Sequence, residues 1–257
     1  MRYFRETIAV TERILIELFR RRRSLIFWAI FPISILFLNG YILAERANLS
    51  LANAMEYSAP SSLVGAALFF SCVGGSVSTV VSEREQKTIK RLFISPLTGI
   101  SYFLGIFFAH SFIGIGQSIL VYTLATFLGA KFSGSIVLGL VVIIFTIIGY
   151  VGVGFILGTQ LAKRTEDVNA LIATFGVPLL ILGGAFLPSS LFPDNLVKIA
   201  NFNPIFHSNE ALVAVWAKGE NLTGITHHFS FLLIFSVLML ICGWLSYQRM
   251  LIIEKRL

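Results

Sequence analysis

Six apolar runs, each about as long as a helix needs to be to cross a bilayer, decide what this chain can fold into. They are 24–44, 59–81, 102–128, 136–161, 168–187 and 229–247. A helix rises about 1.5 Å per residue, so about 20 apolar residues cover a hydrocarbon core of about 30 Å. None of the runs shows the period-2 alternation of a strand. A helix also satisfies its backbone groups within its own segment, as lipid demands. Composition agrees: 56% of the 257 residues are hydrophobic and 13% are charged, against about 25% charged in an ordinary soluble domain. The spans use roughly half the chain, and the remainder is too short for a second folded domain. The expected fold is an all-α polytopic membrane protein with six transmembrane helices in a single transmembrane domain, 1–257.

Charge gives the orientation. The formal net charge is +7. With the N-terminus inside, sixteen of the 20 lysines and arginines fall in cytoplasmic segments, and only Arg46, Lys131, Lys198 and Lys218 fall outside. The positive-inside rule therefore places both termini on the cytoplasmic side. Because the basic clusters flank apolar runs, they read as orientation signals and contacts with anionic membrane lipid, not as a nucleic-acid surface. Ahead of the first span, 3–23 reads as an amphipathic interface helix. Phe4, Ile8, Leu15, Leu18 and Phe19 share one face, Glu6, Arg13, Glu17 and Arg20 the other. The run after Arg23 is too long for the core of a cleavable signal peptide, so it is expected to stay as the first span. On the outside, 188–228 is half apolar but interrupted by Pro193 and Pro204. It is too greasy for a solvated loop and too broken for a span. Re-entrant outer helices before the last span are expected, with Phe202 and Ile205 shielded and Asn195 open to water.

The spans carry no Asp, Glu, Lys or Arg in their central turns, which argues against an ion-coupled transporter. His110 and Gln117, seven residues apart in the third run, are expected to make interhelical hydrogen bonds. Cys72 and Cys242 lie inside apolar runs without a CxxC, so neither a disulfide nor a zinc site is expected. HExxH, GxSxG and paired intramembrane carboxylates are absent from the sequence. His227 and His228 read as interfacial, and no other histidines or carboxylates are grouped with them for catalysis. The dipeptide Gly-Lys does not occur, so the chain has no P-loop and no ATP site of that kind. Gly154 and Gly158, beside Gly149 and Gly152, point to close helix packing, within the chain or between chains.

The loop 82–101 is the most informative segment. Ser82 and Glu85 have capping-box spacing, so a helix is expected to begin just beyond Ser82 and to stop before Pro96. Ile89, Leu92 and Phe93 would form its apolar side, with Lys87, Lys90 and Arg91 elsewhere. Glu83 and Glu85 could meet basic groups of a partner or cap the helix locally. This stretch resembles the corresponding loop of type-2 ABC transporter permeases in Glu83, Arg84, Glu85, Thr88, Arg91, Leu92, Pro96 and Leu97. Lys87 stands where that family often has glycine, and Lys90 where it often has an acidic residue. A second likeness follows the fifth span, in Gly183, Gly184, Phe186, Pro188, Pro193, Asn203 and Pro204.

The resemblance implies a fold and a mechanism. The chain would be the membrane subunit of an ABC exporter, a homodimer or a heterodimer with a related permease, in a bacterial inner membrane. A separate ABC ATPase subunit would bind ATP and Mg, and this chain would bind no cofactor. The 82–101 loop would couple to that ATPase, and the motif after the fifth span would form an outer gate. The cargo would be a lipid, a glycan or an amphipathic drug-like molecule. A lipid-modifying membrane enzyme and a non-transporting scaffold are the alternatives.

Overall fold

A computed structural model describes residues 2–20, 22–92, 94, 97–186, 189 and 192–256, with backbone only at 24, 92 and 256. Every regular element among them is helical: α1 (Arg2–Arg20), α2 (Arg22–Arg46), α3 (Leu51–Glu85), α4 (Thr88–Leu92), α5 (Gly99–Phe127), α6 (Ile136–Leu161), α7 (Thr165–Leu182), α8 (Asp194–Ala200), α9 (Pro204–Leu212, continued by a π-helical turn Val213–Ala217) and α10 (Thr226–Arg256). Six of these, α2, α3, α5, α6, α7 and α10, are long and apolar enough to cross a membrane. The chain is a multi-pass membrane protein.

Local chemistry sets where the helices begin and end. Ser50, Thr98 and Ser135 each accept a hydrogen bond from the backbone N–H three residues on, at 3.3, 3.4 and 3.3 Å, and so cap α3, α5 and α6. The cap at Ser50 starts α3 well before the apolar run at 59, because nothing in Leu51–Ser58 breaks a helix. At the other extreme, α7 stops at Leu182 instead of running to 187. Gly184 there takes φ +77, a left-handed turn that suits glycine. The loop helix also differs from expectation. Ser82 lies inside α3, which continues to Glu85, and its hydroxyl accepts from Gln86 Nε2 at 2.9 Å instead of capping a new helix. The break falls at Lys87, which takes φ +57, and α4 starts only at Thr88.

Several helices widen into π-helical turns, notably Ser62–Gly74 within α3 and Ile172–Gly176 within α7, just ahead of Pro178. Such turns are rare and gather at functional sites. Pro32 stays inside α2, and Ser62 Oγ from α3 donates to its carbonyl at 2.5 Å.

α3 is the most buried span, whereas α2, α7 and α10 leave most of their apolar surface to lipid. Lipid tails give helices no hydrophobic reason to associate, so close packing of small residues must do it. α6 is wedged between α3 and α10. A Cβ on Gly154 would sit 1.8 Å from Ser76 Oγ of α3, and one on Gly152 would sit 2.5 Å from the Met239 carbonyl of α10. The glycine-rich face therefore packs within the chain. His110 makes the expected interhelical bonds: its Nδ1 lies 3.2 Å from the Ser71 carbonyl, and Thr79 Oγ1 is 2.9 Å from its Nε2. Gln117 does not follow suit, as its buried Oε1 has no hydrogen-bond partner among the described residues.

Candidate functional site

The 82–101 loop lies at the end of the bundle that bears both termini. Its three consecutive charged residues each grip a different element. Glu83 is only 6% exposed. Its Oε1 accepts from Arg13 Nη2 of α1 at 2.5 Å, and its Oε2 accepts from the Tyr102 hydroxyl of α5. Arg13 Nη2 also reaches the Tyr102 oxygen at 3.1 Å, with its guanidinium 5.7 Å from the ring centre. Burial opposes the charge on Arg13, but Tyr102 and Glu83 outweigh it and raise its pKa.

Arg84 takes the C-terminal end of α6. Its Nη1 donates to the carbonyls of Gly158 and Ala162 at 3.3 and 3.1 Å, and its Nε reaches Glu254 of α10 at 3.3 Å. The last carbonyls of a helix lack intrahelical donors and carry partial negative charge, so a guanidinium there is favourable. Glu85 does the converse for α7. It accepts from the Thr165 backbone N–H at 3.3 Å and from the Thr165 hydroxyl, at the helix start where N–H groups are unpaired. Both glutamates thus have partners within the chain, Glu83 buried and Glu85 exposed. Glu6 completes the arrangement by accepting from Thr98 N and Oγ1, at 3.2 and 3.0 Å, at the start of α5. Hydrogen bonding from Arg2, aided by Ser101 and Thr98 against a smaller burial effect, holds its carboxyl down at about 2.

The rest of the loop divides into an anchor and a tip. Ile89 is 2% exposed and belongs to the apolar core; Leu97 packs against that core, and Thr88 is half-buried. Lys87, Lys90 and Arg91 are exposed, and Ile94 is 89% exposed. Phe93, Pro96 and the Leu92 side chain lie outside the described residues. Sequence reasoning missed Arg13, Tyr102, Glu254 and Thr165 as partners of the charged triplet, and Ile94 as the greasy tip. The polar face of α1 had marked Arg13, but no spacing rule says which loop a surface helix will meet.

At the opposite end, the second motif forms a compact turn. A Cβ on Gly183 would sit 2.3 Å from Ile205 Cγ2, so glycine lets α9 approach the end of α7. Asn203 is buried and caps α9: its side-chain oxygen accepts from Ile205 N at 3.0 Å, while its Nδ2 donates to the Leu179 carbonyl at 2.6 Å. Pro204 occupies the first turn of α9, where no N–H is needed. Pro193 leads into α8 in extended conformation, and half-buried Phe186 meets Phe31 edge-on at 6.5 Å. Pro188 lies outside the described residues. Asn195 is exposed and Ile205 buried, but Phe202 is 84% exposed, not covered by the protein. It sits in the turn between α8 and α9, where its side chain points away from both.

The structure also groups histidines that the sequence kept apart. His207 of α9 lies between His227 and His228 of α10, with Nδ1 of His207 and His228 2.9 Å apart. His207 Nε2 donates to the Asn201 carbonyl at 2.9 Å, and its ring stacks on Phe231 at 3.9 Å. Both nitrogens of His207 are thus engaged and its ring is covered. Burial lowers its pKa from the ordinary value. Among the described residues, no group of three or more His, Cys, Asp or Glu side chains is arranged to hold a metal ion.

Residues 5–216 match the profile described as ABC-2 type transporter, a stretch that takes in α1, the 82–101 loop and the outer turn. Curated proteins offer no match. A match over most of the length, on a bundle of six apolar helices, means that the chain belongs to the ABC-2 type transporter family, as a membrane-embedded permease component of an ABC transporter.

Proposed function

We propose that the chain is the permease subunit of an ATP-driven exporter that works with a separate ATPase bound at its termini-bearing end. The observation that carries this reading is the two-sided build of the 82–101 loop. Its tip offers Lys87, Lys90, Arg91 and Ile94 to a partner, while Glu83, Arg84 and Glu85 tie its root to α1, α5, α6, α7 and α10. A push on the tip is therefore felt by most of the spans. ATP and Mg bind the partner ATPase, with both termini of this chain in the cytoplasm and the protein in a bacterial inner membrane. The basic residues crowd the same end, in keeping with the positive-inside rule.

The permease works as a dimer, with itself or with a related chain. α2, α7 and α10, which leave most of their apolar surface uncovered within the chain, offer faces to a second copy. Its cargo is an amphipathic molecule, a lipid, lipid-linked glycan or drug-like compound, because the central turns of the spans carry no charge to conduct an ion.

The test is co-purification of an ATPase with the tagged chain from native membranes. Ile94→Asp should insert normally yet lose the ATPase, whereas Lys131→Asp, exposed at the other end, should retain it. Truncating a buried interface anchor commonly costs about 2 kcal/mol or more, roughly thirtyfold in affinity. Retention of the ATPase at full level by the Ile94 variant would remove the loop as the docking point.

A further inference from the structure

A cavity of about 520 Å³ opens at the end opposite the termini, between α2, α3, the turn after α7, and α8 and α9. Its apolar lining is formed by Leu43, Leu49, Val197, Phe206 and Val213. Among these residues stand polar groups whose hydrogen-bonding capacity is not all used. Glu210 is half-buried; one of its oxygens accepts from Ser189 Oγ at 2.5 Å, and no cation lies within ion-pair distance among the described residues. Asn209, 5% exposed, has its Nδ2 3.5 Å from the Gly184 carbonyl, and its Oδ1 lacks a partner among the described residues. Lys218 stands exposed on the lining and likewise forms no ion pair among the described residues.

A half-buried carboxylate with no counter-ion is costly, and so is a buried amide oxygen with no donor. Native structures keep such groups mainly where something else completes them. The two charges on this cavity are of opposite sign yet do not pair with each other. A purely anionic ligand would meet Glu210, and a purely cationic one would meet Lys218. A ligand carrying both signs suits both. The volume is that of a small-molecule site, and the leucines and valines of the lining suit the first part of an acyl chain.

We infer that this cavity binds the headgroup of a zwitterionic amphiphile, with its ammonium on Glu210 and its anionic group toward Lys218. The inference deepens the export reading and rests on it for the direction of passage; binding itself does not depend on the ATPase. It assigns the cargo to amine-bearing zwitterionic lipids, and it gives Glu210 and Lys218 the role of distinguishing them from singly charged amphiphiles.

The test uses the full chain in a neutral glycoside detergent with three probes of matched chain length: lysophosphatidylethanolamine, an alkyl phosphate and an alkylamine. The zwitterionic probe should bind saturably and more tightly than either of the others. Glu210→Gln should weaken it about tenfold or more, the scale of a lost charge-assisted hydrogen bond. Lys218→Met should weaken it about threefold, as for an exposed charge, and Lys198→Met, exposed and not on the lining, should leave it unchanged. A diazirine-bearing lysophosphatidylethanolamine on the unaltered chain gives a readout that no folding defect can mimic, and its label should fall on Leu43, Val197 or Phe206.

Equal binding of the alkyl phosphate, full affinity in the Glu210 variant, or label confined to residues elsewhere would overturn the inference. Capture of an ATPase without lipid binding would sink this site alone. Lipid binding by a chain that captures no ATPase would sink the export reading and leave the site standing.

Discussion

Arg13→Met removes one side chain from the interface helix and tests whether α1 is held to the bundle through Glu83. The Glu83 carboxylate is almost fully covered, and the guanidinium lies 2.5 Å from its Oε1. With Arg13 gone, the carboxylate keeps the Tyr102 hydroxyl and loses its one counter-charge among the described residues. Hydrogen bonds to charged groups are worth about 1.5–3 kcal/mol, and breaking a fully buried pair costs about 3–5 kcal/mol. Arg13 is itself 43% exposed, so some solvent reaches the pair, and about 2–3 kcal/mol is the expected loss. For a chain of this size that lowers Tm by about 5–10 °C. The assay is thermal unfolding in detergent of Arg13→Met, Glu83→Gln and the double variant. Glu83→Gln should cost less than Arg13→Met, because a neutral amide can stay buried with the tyrosine as donor. The double variant should be more stable than Arg13→Met alone. An unchanged Tm for Arg13→Met, or a double variant no better than it, would refute the reasoning.

Two further outcomes follow from the same geometry. Lys87→Gly should raise stability by about 0.5–1 kcal/mol, since the residue holds φ +57, a region that costs an L side chain about that much or more; a lower Tm would contradict it. Burial lowers the His207 pKa below its ordinary 6.5, so on acidification the unfolded chain takes the proton first. The contribution of His207 is therefore intact above about pH 6.5 and is lost progressively as the pH falls below that value, until the folded imidazole itself protonates. Tm measured between pH 8 and pH 5 should fall on the acid side in the unaltered chain and fall less in His207→Gln, and identical profiles would contradict this.

The spans were legible because length and apolarity follow from one solvent constraint, the bilayer. Their ends were less so. α3 begins early because Ser50 caps it, and α7 ends early because Gly184 turns left-handed; both depend on single residues inside an otherwise uniform pattern. Ser82 misled for the same reason, as its capping-box spacing is real but α3 runs through it. In the loop, the motif marked Glu83, Arg84 and Glu85 as special without saying what they touch. Their partners are 19 to 170 residues away in sequence, beyond the reach of any local periodicity. His207 joining His227 and His228 is a contact of that kind as well. The glycine face of α6 was visible, but only packing against Ser76 and Met239 showed that it serves this chain instead of a second copy.

The central claim is that the basic, termini-bearing end of the bundle docks an ATPase through the tip of the 82–101 loop. The most direct measurement places a photo-crosslinking amino acid at Ile94 in one variant and at Phe202 in another, both exposed and at opposite ends of the bundle. The crosslinked partners are then identified from native membranes. The account predicts a nucleotide-binding protein captured from Ile94 and none from Phe202. Capture of the ATPase from Phe202, or from neither position while it co-purifies with the chain, would contradict it.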